Sequence, residues 1–101
     1  MKGLYHDNKL RRSWHFVFFN GSWHNDNYSN FFIALKPIKF VCGRHKIGSD
    51  DEHVHAAIVL DSPISFVELN KLLDYYNLDC EVSEVYNFEA VKNYIYKEVS
   101  K

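Results

Sequence analysis

The chain has 101 residues, of which 47% are apolar and 17% aromatic, enough for the core of one domain. Charged residues make up 25% of the sequence and the formal net charge is −1, which excludes a broad basic surface for holding duplex DNA non-specifically. The sequence has neither an apolar run of membrane-spanning length nor the apolar core of a secretory signal, so we expect an intracellular protein without a membrane partner. Cys42 and Cys80 match no zinc-ligand spacing and are interpreted as reduced core residues.

The first half of the chain predicts a strand, a helix and a second strand after a polar segment at residues 1–12. Residues 14–20 combine aromatic and β-branched side chains, which predicts a central strand with two apolar faces. Residues 21–27 break this pattern and offer helix caps. Residues 28–35 have apolar side chains at helical spacing, and residues 38–42 form a short apolar run that predicts the second strand.

The middle of the chain predicts a strand and a helix that follow a polar loop after Gly43. Residues 52–60 form an apolar, β-branched run with two histidines and predict a third strand, which ends before Pro63. Ser65 and Glu68 have the spacing of a capping box, in which each side chain satisfies a free backbone N–H group. The helix that they begin is predicted to extend to about residue 76.

The last part of the sequence completes the predicted fold. Residues 78–85 alternate between apolar and polar side chains, which predicts a fourth strand, and Asn87 is positioned to cap a final helix. This order predicts an α+β, ferredoxin-like fold (split βαβ, RRM-like), whose antiparallel sheet has its first and third strands in the centre. Cys42 and Cys80 then lie on opposite edges of the sheet, too far apart to form a disulfide.

Two histidines and a tyrosine–lysine pair are the candidate functional residues. His53 and His55 are two positions apart on one strand, so their side chains share a face and could bind a divalent ion together with a third ligand. On its own, the pair is more often explained as two half-exposed polar positions on one strand face. Tyr94 and Lys97 are three positions apart and lie on the same side of the final helix. They meet the histidines only if this helix covers the sheet face opposite the other two helices.

Three segments in this order resemble the motifs of the HUH endonucleases, the replication initiators (Rep) of rolling-circle plasmids and small circular single-stranded DNA viruses. Residues 14–20, Trp-His-Phe-Val-Phe-Phe-Asn, resemble the first motif, His53-Val54-His55 the second, and residues 91–97, with Tyr94 and Lys97, the third. The resemblance covers essentially the whole chain, and members of that family share the ferredoxin-like fold. It implies metal-dependent nicking and joining of single-stranded DNA at an origin, with a C-terminal helix carrying the nucleophile Tyr94 and forming a 5′-phosphotyrosine.

The metal and the nucleophile each leave an alternative open. Viral relatives often have a glutamate at the position that His45 occupies here, so His45 is predicted as the third ligand, with Glu52 and Asp50 as alternatives. Three imidazoles favour Mn²⁺ over Mg²⁺. Tyr96 is the alternative nucleophile, although it lies roughly opposite Tyr94 on the helix.

The resemblance also implies a single-stranded DNA or origin-hairpin partner, and it leaves open self-association, a separate helicase, and a location in the host cytoplasm or nucleus. The predicted nucleic-acid-binding residues are cations and strand aromatics: Arg11, Arg12, Arg44, Lys46, Trp14, Phe16 and Phe18. The alternative function is a non-catalytic module of the same topology, in which exposed strand aromatics stack on the bases of single-stranded RNA or DNA.

Overall fold

A computed structural model describes residues 9–19, 21–24 and 26–99. The elements are β1 (Leu10–Phe19), a 3₁₀ turn (Ser22–His24), α1 (Asp26–Leu35), β2 (Lys39–His45), β3 (His53–Ser65), α2 (Phe66–Tyr75), β4 (Cys80–Glu84) and α3 (Phe88–Val99). This order confirms the predicted α+β class. Asn20, the predicted end of the first strand, and Asn25, a predicted helix cap, lie outside the described residues.

The four strands form one antiparallel sheet in the order β2-β3-β1-β4, which is compatible with a ferredoxin-like fold. The prediction that β1 and β3 are central is therefore confirmed. Cys42 and Cys80 lie on the two edge strands as free cysteines. Cys80 is buried, but the prediction that Cys42 belongs to the core is wrong: it is exposed because the helices cover the edge strand β2 incompletely.

The two faces of the sheet are covered by different helices. The larger core lies between the sheet and the helices α1 and α2, and its side chains include Trp14, Phe16, Phe18, Phe31, Phe32, Val54, Ala56, Ile58, Leu60, Leu69 and Leu73. A smaller cluster on the opposite face joins Val41 and Ala57 of the sheet to Ile95 of α3, with Phe88 and Val91 packed against it. α3 therefore covers the opposite face from α1 and α2, which confirms the packing that the histidines and Tyr94 require.

β2 is longer than predicted, and the extension brings a third histidine beside the other two. It continues past Gly43 to His45, and the Cα partners of Gly43 and His45 on β3 are His55 and His53. Gly43 does not end the strand because its pairing with β3 continues on both sides. The chain reverses only after His45, where Lys46 (φ 55°) and Gly48 (φ 84°) adopt left-handed backbone conformations.

The sheet is also longer than predicted where β1 begins and β3 ends. β1 begins at Leu10, inside the segment predicted to be a polar tail, and β3 continues past Pro63 to Ser65. Leu10 pairs with Ser65 across a register irregularity between Arg11 and Ser13, so pairing resumes after the break. The prediction that β3 ends before Pro63 is therefore wrong.

The helix caps follow the sequence signals. The Ser65 hydroxyl accepts a hydrogen bond from the Glu68 N–H at 3.2 Å, and the Asn87 side-chain oxygen accepts one from the Ala90 N–H at 3.1 Å. Both predicted N-caps are confirmed. In the described part of the chain, no helix has the length and apolar character needed to cross a membrane.

Candidate metal and nucleophile site

Three histidines from two adjacent strands meet on the sheet face that α3 partly covers. His45 and His53 are direct Cα partners across β2 and β3, and His55 follows two positions later on β3. One ring nitrogen of each histidine lies within 4.8 Å of the others. His45 and His55 are buried and His53 is half-buried, so the cluster is open to a ligand mainly at His53.

Backbone carbonyls fix the orientation of two of these rings. His45 Nε2 lies 3.1 Å from the carbonyl oxygen of Ile95 on α3, and His53 Nδ1 lies 2.6 Å from that of Asp51. A carbonyl oxygen only accepts, so both ring nitrogens carry the hydrogen and donate it. In its neutral form each imidazole has one N–H group, and the lone pair then lies on Nδ1 of His45 and on Nε2 of His53. These lone pairs can coordinate a metal ion.

His55 has a buried nitrogen that no hydrogen bond satisfies. Its Nδ1 lies 2.8 Å from Nε2 of His15, whereas its Nε2 is buried and has no hydrogen-bond partner among the described residues. Burial, followed by the nearby His45, His15 and His53, lowers the pKa of His55 to about 3. His55 is therefore neutral at pH 7, the form that coordinates a metal ion, and a bound ion would satisfy its Nε2.

The donor set fits a divalent transition metal. Neutral imidazoles are good ligands for such ions, and hydrogen bonds to carbonyls or a neighbouring ring hold each of these three in place. The two carboxylates that were alternatives for the third ligand lie outside the histidine cluster. Glu52 accepts hydrogen bonds from Arg44 Nε at 2.8 Å and the Gly48 N–H at 3.3 Å, and Asp50 is exposed; neither belongs to the cluster.

Tyr94 is the candidate nucleophile that α3 brings to this cluster. Its ring centroid lies 5.6 Å from that of His45 and 5.5 Å from that of His55, in edge-on contacts. The side chain is 51% exposed, so it is accessible from solvent. Tyr96 instead lines a surface pocket between α3 and β2, beside Lys39 and Phe88. The structure therefore places Tyr94, and not the alternative Tyr96, against the histidines.

Lys97 lies one helical turn beyond Tyr94, in the last turn of α3, and is exposed. The spacing of three residues places both side chains on one side of the helix. Its charge is therefore on the same side of α3 as the tyrosine hydroxyl.

The predicted DNA-binding cations have different environments. Arg12 is exposed and donates from Nε to the Leu60 carbonyl oxygen at 2.9 Å, and Lys46 is exposed in the loop after β2. Arg44 is exposed, forms an ion pair with Glu52 and lies 6.0 Å from the centre of the Trp23 ring.

Arg11 is buried and cannot serve as a nucleic-acid contact. Its guanidinium forms an ion pair with Glu84 of β4 and lies 5.7 Å from the centre of the Trp14 ring. The prediction for Arg11 is therefore wrong, because its charge is used to join β1 to β4.

The strand aromatics that were predicted to stack on bases are not exposed. Trp14, Phe16 and Phe18 are fully buried beneath α1 and α2, on the sheet face opposite the histidines. That prediction is wrong because the pleat directs alternate side chains of β1 into the main core. It also removes the residues on which the non-catalytic alternative was based. The aromatic side chain of β1 beside the cluster is Phe19, which is 39% exposed and 5.7 Å from the His53 ring.

Sequence reasoning missed His15. The alternation of β1 places His15, Val17 and Phe19 on the face of the histidines, and β1 adjoins β3, so the information was present in the sequence. A single histidine on a strand does not indicate a function until its hydrogen-bond partner, here His55, is known. Burial, and secondarily the proximity of His45, lowers the pKa of His15.

Comparison with known proteins does not assign a family. The chain matches no protein-family model, and no curated protein is significantly similar to it.

Proposed function

We propose that this protein is a metal-dependent nuclease that nicks and rejoins single-stranded DNA through a tyrosine adduct. The observation that carries the proposal is the contact of the Tyr94 ring with two histidines of the candidate metal cluster, His45 and His55. A hydroxyl nucleophile beside a divalent-ion site is the arrangement that phosphodiester transfer requires. The resemblance of three sequence motifs to those of HUH endonucleases favours the same chemistry.

The three histidines would hold the ion, and the remaining groups act on the DNA. A divalent ion supplies Lewis-acid polarisation of the scissile phosphate, which makes phosphorus more electrophilic. This matters because a tyrosine hydroxyl is a weak nucleophile at neutral pH. The half-exposed position of Tyr94 allows a DNA strand to approach its oxygen from solvent.

The proposed reaction exchanges one phosphodiester bond for another. The Tyr94 oxygen forms a bond to phosphorus while the bond between phosphorus and the 3′-oxygen of the preceding nucleotide breaks. The tyrosine loses its proton and the departing 3′-oxygen gains one. The products are a 5′-phosphotyrosine and a free 3′-hydroxyl, and attack by a 3′-hydroxyl on the phosphotyrosine rejoins the strand.

Lys97 is proposed to stabilise negative charge that develops during this exchange. It follows Tyr94 by one helical turn, so its ammonium group can reach a phosphate held at the tyrosine. A positive charge near the phosphate or the developing phenolate lowers the barrier without taking part in bond changes.

A single-stranded substrate fits the charge of the protein better than a duplex. The net charge of −1 gives little general attraction for a duplex, and among the described residues the exposed cations Arg12, Arg44 and Lys46 can provide local phosphate contacts. Phe19, partly exposed beside His53, is an aromatic side chain available for stacking near the cluster. These features favour an origin hairpin or its single-stranded loop.

The test is adduct formation with a pool of DNA hairpins whose single-stranded loops are randomised, incubated with the protein and Mn²⁺ and separated on a denaturing gel. Because the tyrosine keeps the 5′-phosphate, a label at the 3′ end should migrate with the protein and a label at the 5′ end should appear on a shorter free strand. EDTA should abolish both products. The proposal is contradicted if no labelled strand becomes attached to the protein, or if the 5′ label is the one attached.

A further inference from the structure

His15 of β1 connects the metal cluster to a third strand. Its Nε2 lies 2.8 Å from Nδ1 of His55, and the two rings are nearly parallel, with an interplanar angle of 6° and centroids 5.0 Å apart. On its other side, His15 Nδ1 lies 3.5 Å from the hydroxyl oxygen of Ser83 on β4. A chain of polar side chains thus extends from β4 through β1 to the histidine of β3.

The hydrogen bond between His15 and His55 can form with two proton arrangements, and only one of them leaves a lone pair on His55 Nε2 for a metal ion. If His15 donates from Nε2, then His55 accepts at Nδ1, and its single hydrogen lies on the buried, unpartnered Nε2. If instead His55 donates from Nδ1, its lone pair lies on Nε2. His15 then accepts at Nε2 and directs its own N–H toward Ser83. The first arrangement buries an N–H without an acceptor, whereas the second presents a ligand atom.

We propose that His15 is a positioning residue that holds His55 in the tautomer with its lone pair on Nε2. His15 does not belong to the group of ligand nitrogens; it acts through the ring orientation and tautomer of His55. The inference rests on the metal site of the proposed function but not on DNA cleavage. It gives His55 the same kind of support that the Ile95 and Asp51 carbonyls give His45 and His53.

The first test uses the unaltered protein. Long-range ¹H–¹⁵N NMR spectra of the metal-free, ¹⁵N-labelled chain at neutral pH distinguish protonated from unprotonated ring nitrogens. We expect His55 to be protonated at Nδ1 and unprotonated at Nε2. Predominance of the opposite tautomer would overturn the inference, whatever the fate of any variant.

The second test measures Mn²⁺ affinity in the full chain by the electron paramagnetic resonance signal of the free ion. His15→Phe keeps a planar ring but cannot accept a hydrogen bond, and loss of such a supporting partner weakens metal binding by about 10-fold to 100-fold. His15→Gln offers an amide oxygen to His55 and should recover most of the affinity. His24→Gln removes an exposed histidine outside the cluster and should bind as the wild type does.

The outcomes separate this inference from the proposed function. Equal Mn²⁺ affinity of the wild type and a folded His15→Phe, or equal weakening in His15→Gln and His15→Phe, would overturn the positioning role. If His15→Phe does not fold, the His55 tautomer in the wild type still decides the question. His15-dependent metal binding without any DNA adduct would refute the nuclease alone, and an adduct formed with the opposite His55 tautomer would refute only the role of His15.

Discussion

Replacing Tyr94 by phenylalanine removes one oxygen from the candidate site and leaves its surroundings in place. The contacts of Tyr94 with His45 and His55 are edge-on ring contacts, which a phenylalanine ring can also make. The side chain is 51% exposed and is not part of the buried cluster under α3. The fold, metal binding and DNA binding should therefore survive the substitution.

Tyr94→Phe should change the stability of the fold only slightly but should abolish adduct formation. A half-exposed substitution that preserves packing should change the free energy of unfolding by less than about 0.5 kcal/mol, or ~2–4 °C in melting temperature for a domain of this size. Adduct formation should disappear entirely, because no other atom at that position can bond to phosphorus. Lys97→Ala should instead leave slow cleavage, reduced roughly 10²-fold or by ~3 kcal/mol, because it removes a charge and not the nucleophile.

The assay is a time course of covalent adduct on a denaturing gel, with Mn²⁺ affinity and melting temperature measured on the same preparations. Tyr96→Phe is the matched control, since it removes the same atom from a tyrosine of similar exposure, 47%, that lines the pocket beside Lys39. Tyr96→Phe should form adduct at the wild-type rate. If Tyr94→Phe forms adduct and Tyr96→Phe does not, the nucleophile is Tyr96 and the geometric argument fails.

Three further predictions concern the metal, the DNA and the fold. His45→Glu should increase cleavage activity with Mg²⁺ relative to that with Mn²⁺, because it replaces an imidazole by a carboxylate. It should also lower the melting temperature, because a glutamate carboxylate cannot donate a hydrogen bond to the Ile95 carbonyl. An unchanged metal preference would argue against His45 as a ligand. Single-strand affinity should fall with salt at a log–log slope of about −3, as expected for four phosphate contacts from Arg12, Arg44, Lys46 and Lys97, and equal affinity for random duplex would contradict this. Hydrogen bonds from Tyr86 and Arg11 lower the pKa of the Glu84 carboxyl below its usual 4.5, so its stabilising effect should be present at neutral pH and lost on acidification. Thermal melting should accordingly show Glu84→Gln destabilised at pH 7 and the difference shrinking near pH 3; a constant difference would refute the assignment.

The element order and sheet topology could be predicted because they depend on local patterns. Aromatic and β-branched residues mark β1, Ser65 and Asn87 mark helix starts, and the alternation of elements restricts the sheet to a few topologies. The shared face of His53 and His55 followed from the pleat alone.

What failed depends on contacts between distant segments. Whether β2 ends at Cys42 or continues to His45 is decided by pairing with β3, which no property of residues 43–45 reveals. Both faces of β1 are rich in ring side chains, so its composition could not show that Trp14 and Phe18 lie in the main core. The burial of Arg11 depends on Glu84, 73 positions away in sequence, and the role of His15 depends on His55 in the same way.

The attachment of α3 to the sheet has a consequence for hydrogen exchange. This helix is held by the small cluster of Val41, Ala57 and Ile95 and by the hydrogen bond from His45 to the Ile95 carbonyl, whereas α1 and α2 cover a far larger apolar core. Segments with few buried contacts open locally at a smaller free energy than the whole domain unfolds. The amides of α3 should therefore lose protection from hydrogen exchange before those of β1 and β3. Tyr94 would then lie on the helix that separates from the sheet first.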